Sequence, residues 1–324
     1  MITRRQLGQS AALAVGAIAV PGALQAQSWP SRPIRLVVPF PPGGLIDTMA
    51  RLIGPRLSLS LGQPVVVDNK PGAGGNLGAA EVARALPDGY TLLMAAPPLT
   101  IGPALYSTLP YKPEQIAAVA LLGSVPNVLL VKSSSPITSL KQLTAQAKAS
   151  PGKLNYASNG VGTSLHLCAE LYKSTTGVFV THIPYRGAAA AMTALLSGEV
   201  TMMFDNLPGA LAQIQAGNVR ALAVTTTTRS KSLPDVATMV ESGLTGFDVS
   251  AWFGVAAPTA TAANVVSRLE QALDAVIKQA DVVATMSRQG VEPGFSGSAS
   301  MTQFLAADSA KWKAVAAYAK ISLD

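Results

Sequence analysis

One unit recurs along this chain: a β-branched apolar run, a loop of small residues, then an amphipathic segment. IRLVVPFPPGG leads into IDTMARLIGPRL, PVVVDNKPGAGG into NLGAAEVARAL, KLNYASNGVGT into SLHLCAELYKST, and VTMMFDNLPG into ALAQIQAG. Strands that alternate with helices of this length need crossover connections, which makes an α/β protein with parallel sheets the expected class. In open sheets of that kind the loops at the carboxyl ends of strands gather around a crevice. All four small-residue loops occupy that position. A glycine pair such as Gly43 and Gly44 exposes N–H groups, and a helix start adds partial positive charge, so the crevice suits an anion.

The amino terminus sets the compartment. Arg4 and Arg5 precede the apolar run Ala11 to Val20, and Leu24, Gln25 and Ala26 fit cleavage before Gln27. As a helix that run spans about 15 Å, half the hydrocarbon thickness of a bilayer, so residues 1–26 read as an export signal. No bulky aromatic follows the arginine pair, which leaves the Sec and twin-arginine routes both open. Of the 24 Lys and Arg side chains two lie in that leader, and 17 side chains are acidic. The excess of positive charge is spread singly, without basic runs or interleaved aromatics. That favours small anions and argues against nucleic acid. The single cysteine, Cys168, has no partner for an intrachain disulfide and is expected to be buried and inert.

Two further strand-like stretches, NVLLVKSSSP from Asn127 and SAWFGVAAPT from Ser250, bracket a block with its own strand and helix alternation. They read as crossovers between two lobes, lobe one being residues 27–130 plus 253–324 and lobe two residues 131–252. The last segments have helical periodicity, with Gly290 as a stop, and are expected to pack back on lobe one. Pro55 falls inside the first helical pattern, where its ring should kink or shorten that helix.

Several ordered blocks carry a resemblance: VVPFPPGGLIDTMAR, LGQPVVVDNKPGAGGNLGA, PDGYTLL, YASNGVGTSLHLCAELYK, HIPYRGAAAAMTALLSGEVTMMFDNLP and FGVAAPT. Together they resemble the periplasmic solute receptors of tripartite tricarboxylate transporters, the Bug family, over essentially the whole chain after the leader. The resemblance implies a two-lobed periplasmic-binding-protein fold that closes on a small carboxylate and delivers it to permease subunits in the membrane. It also implies that two lobe-one loops hold a ligand carboxylate through backbone amides and waters. These match here at Phe40, Pro42, Gly43, Gly44 and Asp47, and at Gly72, Ala73, Gly74, Gly75 and Asn76. Gly102 stands where the family often has Asn.

The residues themselves support an anion nest at the glycines, while Asp47 is as well suited to cap the helix beginning near Thr48. In lobe two, Ser158, Asn159, Gly160, Thr163 and Ser164 offer hydroxyls and amides at a third helix start, with N-capping by Thr163 or Ser164 as the alternative. Tyr185 and Arg186 end another strand, and Arg186 could clamp a carboxylate. Asp205 would prefer an amine or hydroxyl on the ligand and is a candidate for selectivity. Enzyme signatures are missing: Leu77 stands where a dinucleotide fingerprint needs its last glycine, and no phosphate-binding P-loop or G-x-S-x-G elbow occurs. His166 and His182 have no metal-ligand spacing, and His166, one turn before Glu170, reads as a packed histidine. The expectation is a monomeric periplasmic carboxylate receptor without cofactor or catalysis. A receptor that presents its ligand to a membrane sensor kinase is the alternative.

Overall fold

The run Ile34–Val38 forms β1, whose Leu36, Val37 and Val38 are fully buried because helices cover both faces of its sheet. This is a computed structural model, and it describes residues 29–319 and 321–322; the leader expected at 1–26 lies outside the described residues. After β1 come α1 (Leu45–Leu61), β2 (Val65–Asn69), α2 (Asn76–Ala83), β3 (Thr91–Ala95) and α3 (Pro98–Leu105). β2 and β3 pair in parallel on opposite sides of β1, in register Ile34↔Val65 and Arg35↔Thr91. The chain therefore leaves β1 in both directions across the sheet, and a crevice opens at its carboxyl end. α1 is not shortened by Pro55: it runs on to Leu61, held by its buried stripe of Met49, Ile53 and Leu57.

The same plan repeats after β4 (Ile116–Lys132) and α4 (Leu140–Ala149). There follow β5 (Asn155–Ser158), α5 (Ser164–Thr176), β6 (Thr181–Pro184), α6 (Ala188–Ser197), β7 (Met202–Asn206), α7 (Leu207–Gln215) and β8 (Val219–Val224). β5 lies between parallel β6 and β7, so its carboxyl end is a second switch point. β9 (Ser250–Pro258), α8 (Ala263–Ile277), α9 (Ala280–Arg288), β10 (Glu292–Gly297) and α10 (Ser298–Ala319) complete the order. The helical periodicity expected before Gly290 is divided between two helices, α8 and α9, and Gly290, at φ +77°, follows the second.

Two expectations are corrected. The lobes are mixed rather than mainly parallel sheets. In lobe one β9 is antiparallel to β3 and β4, and β10 to β4; in lobe two β4 is antiparallel to β7 and β8. The reason is that one long strand, β4, serves both sheets: Ile116–Pro126 pairs with β9, and Asn127–Val131 pairs with β7. The change of partner falls at Pro126, whose missing N–H cannot extend a ladder. Ser250 pairs with Pro126, so β9 begins at the same level and Trp252 lies inside it. Finally, α10 does not pack on lobe one alone. Met301 joins a lobe-one cluster with Trp252 and Ala256, while Trp312 and Ala316 join Tyr156, Leu165 and Phe204 of lobe two. Between these halves the buried carboxylate of Asp308 accepts hydrogen bonds from Thr100 Oγ1, Trp252 Nε1 and Trp312 Nε1, at 2.6, 3.0 and 3.0 Å. Removing such a carboxylate would strand the two indole N–H donors, each costing about 1–3 kcal/mol, while the Thr100 hydroxyl keeps Pro97 O at 2.9 Å.

Candidate functional site

Both switch points open on the same space. One cavity, about 60 Å³, is bounded on the lobe-one side by Phe40, Pro41, Pro42, Gly44, Leu45 and Ile46 after β1 and by Ala96, Pro97 and Pro98 after β3. On the lobe-two side stand Asn159, Thr163 and Ser164 after β5, Arg186 to Ala189 after β6, and Asn206 after β7. That volume admits a few ordered waters or a carboxylate head. A wider cavity of about 560 Å³ shares Phe40, Pro41, Asn159, Arg186 and Gly187 with it and extends to the Gly72–Gly75 turn, Gly160, Val161 and Tyr185. Six helices begin on these walls: α1 after Gly44, α2 after Gly75, α3 after Pro97, α5 after Thr163, α6 after Gly187 and α7 after Asn206. First-turn N–H groups have no intrahelical acceptor, and each helix start carries partial positive charge, so the walls converge on the space with the sign an anion needs. Among the described residues, Arg186 is the charged side chain on either lining and no carboxylate lines either cavity.

The sequence-derived residues divide accordingly. Phe40, Pro42, Gly44, Ala73, Gly74, Gly75, Asn159, Gly160, Thr163, Ser164, Tyr185 and Arg186 stand on the cavity walls. Gly43, Asp47, Asn76, Ser158 and Asp205 do not. Asp47 is not the cap of a helix starting at Thr48: the helix begins at Leu45, capped by Gly44. From inside the first turn Asp47 reaches back, so that Oδ2 accepts the Gly43 N–H at 3.0 Å and Oδ1 accepts from Asn69 Nδ2 at 2.9 Å, with Arg51 paired beside it. Burial raises its pKa, but the hydrogen bonds from Arg51, Gly43 and Asn69 outweigh that and hold the carboxyl below its usual range. This consumes the Gly43 N–H expected in an anion nest and neutralises an acid that would repel one. Asn76 is buried with an unpartnered Oδ1, and a Cβ at Gly102 would lie 3.0 Å from that oxygen.

Lobe two is braced from behind. Thr163 caps α5 by accepting the His166 N–H at 3.3 Å, while its own hydroxyl donates to Gly160 O at 2.8 Å. The Gly162 N–H donates to His166 Nδ1 at 3.3 Å. The rings of His166 and His182 stack at 4.2 Å, His182 stacks on Tyr156 at 4.7 Å, and Ser158 Oγ lies 2.7 Å from His182 Nε2. His166 is therefore the packed histidine expected, though its main partners are the other histidine and the loop rather than Glu170, whose carboxylate is 3.9 Å away. Burial pushes His166 down to about 4 and His182 down to about 3, keeping both neutral. Asp205 lies beneath the start of α7, where Oδ1 accepts the Asn206 N–H at 2.8 Å; burial pushes its pKa up to about 7. Tyr185 turns its hydroxyl to Glu199 Oε1 at 2.6 Å. Cys168 is fully buried, and burial pushes its thiol up to about 12.

Sequence reasoning passed over the β3–α3 loop and Asn206. The stretch TLLMAAPPLTIGPAL is a further strand–loop–helix unit, but its loop holds prolines instead of glycines and so lacks the signal that marked the others. Asn206 was adjacent to Asp205, and strand alternation would have distinguished them: Asp205 points into the interior and Asn206 reaches the cavity. The Oδ1 atoms of Asn159 and Asn206 are buried without a hydrogen-bond partner, at the ends of adjacent parallel strands. Buried polar groups normally find partners, and an amide oxygen accepts, so each of these two atoms is open to a donor such as an ordered water.

Comparison with known proteins agrees with this geometry. Residues 49–321 match the tripartite tricarboxylate transporter family receptor. The chain is 39% identical to Protein BugT of Bordetella pertussis over 306 residues, 94% of this chain and 93% of that protein. Among solved structures, an R. palustris protein with adipate is 37% identical with a TM-score of 0.87, covering 91% of this chain and 99% of that one. The periplasmic binding protein BugD is 34% identical at the same TM-score, with 91% and 99% covered. MatC from Rhodopseudomonas palustris with bound malate is 33% identical with a TM-score of 0.85, covering 88% and 99%. The cleft between two switch points, the mixed two-lobed sheet and these matches agree, and the chain belongs to the tripartite tricarboxylate transporter receptor family, among the Bug proteins.

Proposed function

We propose that this protein is an exported receptor that binds a small carboxylate between its lobes and hands it to the permease subunits of a tripartite tricarboxylate transporter. The observation that carries the reading is the convergence of helix starts from both lobes on a cavity with Arg186 at its wall and no carboxylate facing it. Relatives solved with adipate and with malate bind ligands of the same chemistry. Lobe one supplies backbone: the N–H groups of the first α1 turn, beyond Gly44. Lobe two supplies side chains: Asn159, Ser164, Arg186 and Asn206, while the Thr163 hydroxyl is spent on Gly160 O and on the cap of α5. Binding without chemical change fits a site that lacks a paired acid and base, since both histidines are stacked away from it and held neutral. The leader at 1–26, absent from the mature form, would direct the chain to the periplasm as a monomer.

A melting-temperature screen against mono-, di- and tricarboxylates, adipate and malate included, tests the reading. At a hundredfold excess over its dissociation constant a bound acid stabilises the fold by about 2.7 kcal/mol. Matching amides or esters should give no shift, because they lose the charge assistance. Equal shifts from acid and amide would defeat the proposal, as would turnover of any hit on long incubation. Pull-down of membrane extracts with the loaded protein separates a permease partner from a sensor kinase.

A further inference from the structure

We propose that Gly74 is the closure contact of the two lobes, a positioning residue whose missing side chain lets the Gly72–Gly75 turn seat against the backbone carbonyl of Val161. This rests on the reading above, that the lobes close on a ligand. A Cβ built on Gly74 would overlap Val161 O, and no side-chain rotation relieves a clash with backbone. The turn cannot retreat into lobe one. Gly75 N–H donates to Gly72 O at 2.9 Å, and a Cβ on Gly75 would already lie 3.2 Å from Pro98 Cγ and 3.5 Å from Phe40 Cζ. Its φ angles are all positive, +137° at Gly72, +47° at Ala73, +64° at Gly74 and +107° at Gly75, and Ala73 is the one non-glycine with positive φ among the described residues. A strained, over-determined turn at this place is what a functional contact requires.

The facing loop cannot yield either. Gly162 is tied to His166 Nδ1, Gly160 O is held by Thr163, and the stacked histidines fill the space behind. A methyl group at 74 is therefore accommodated by keeping the lobes apart. Closure would be lost, while the cavity wall and its polar groups stay intact.

The test compares Gly74→Ala with Gly62→Ala. Gly62 has nearly the same backbone, φ +72°, but no atom within 4 Å of its would-be Cβ, so it isolates the cost of a left-handed alanine from the cost of the contact. Spin labels at Leu86→Cys and Phe179→Cys, exposed on the two lobes, report the interlobe distance, since the native Cys168 is fully buried. Wild type and Gly62→Ala should show a short-distance population that Gly74→Ala lacks. For any acid that shifts wild-type melting, Gly74→Ala should weaken binding by about tenfold or more, mainly through faster dissociation. If Gly74→Ala closes as wild type does, or if wild type has no short-distance population with or without ligand, the proposal is overturned. If no acid shifts wild-type melting while the distances still separate the two variants, the contact stands and it is the carboxylate reading that fails.

Discussion

The two walls of the cleft are built from the same strand–loop–helix unit and present opposite chemistry. The lobe-one wall is Phe40, Pro41, Pro42, Gly44, Ala96 and Pro97, none with a side chain that can hydrogen-bond. Its one nearby acid, Asp47, is turned inward and saturated by Gly43, Asn69 and Arg51. The lobe-two wall carries Asn159, Thr163, Ser164, Arg186 and Asn206, and behind it two stacked histidines. The difference separates two tasks. Backbone N–H groups recognise a carboxylate whatever it is attached to, whereas side-chain amides, hydroxyls and a guanidinium can distinguish what else the ligand bears.

Acid should break the comparison most severely, because only lobe two rests on buried imidazoles. The pKa values of His166 and His182 in the fold, about 4 and about 3, lie below the roughly 6.5 of an exposed imidazole. The unfolded chain therefore takes up protons first. Their contribution is fully present above about pH 6.5 and is lost as pH falls toward 4 and 3. Tyr156, Glu170 and Lys173 surround the pair, and Lys173 opposes its protonation. Asp205 runs the other way: raised to about 7, it keeps its proton in the fold between about pH 4 and 7 and costs stability as pH rises through that window. We expect Asp205→Asn to be stabilised relative to wild type at pH 8, and to lose on the order of 6 kcal/mol, roughly 15 to 20 °C, on passing from pH 7 to pH 4. Calorimetric melting across pH measures this; a flat profile would mean that the histidines are not held neutral.

Next in size is a change at the lobe-one wall. Gly44 has extended backbone, φ −85° and ψ 174°, and no atom within 4 Å of its would-be Cβ. Gly44→Asp should therefore cap α1 without loss of stability while placing a negative charge where the ligand carboxylate approaches. Affinity should fall about a hundredfold for every ligand, about 2.7 kcal/mol. Retained affinity in titration calorimetry would remove lobe one from anion recognition. Asn206→Ala should act differently, weakening binding by about tenfold for acids that carry a second polar group and little for simple ones. A uniform loss across a ligand series would erase the proposed division between the walls. The smallest effect belongs to Arg186→Ala, because this side chain is exposed. A loss of about 1 kcal/mol or less that fades at high salt is expected, seen in the association rate.

The alternation of strands and helices, the loops that face the cleft and several of the wall residues were legible along the chain, because each depends on local pattern: period, glycine placement and helix starts. Gly44, Gly74, Asn159 and Arg186, read from loops and helix starts, stand on those walls, as does Phe40, to which the family resemblance alone pointed. Only the tertiary structure decided which donors remain free. Asp47 captures the Gly43 N–H because Asn69 and Arg51 arrive from β2 and from the next turn of α1. Asp205 and Asn206 are neighbours in sequence, yet the pleat sends one into the core and the other to the cavity. The mixed sheet follows from β4 serving both lobes, and the bridging of both cores by α10 follows from where Asp308 finds three donors. These are consequences of contacts between residues far apart in the chain. Local propensity carries the start of a helix, but which N–H groups at that start are left for an anion depends on what the rest of the fold brings beside it.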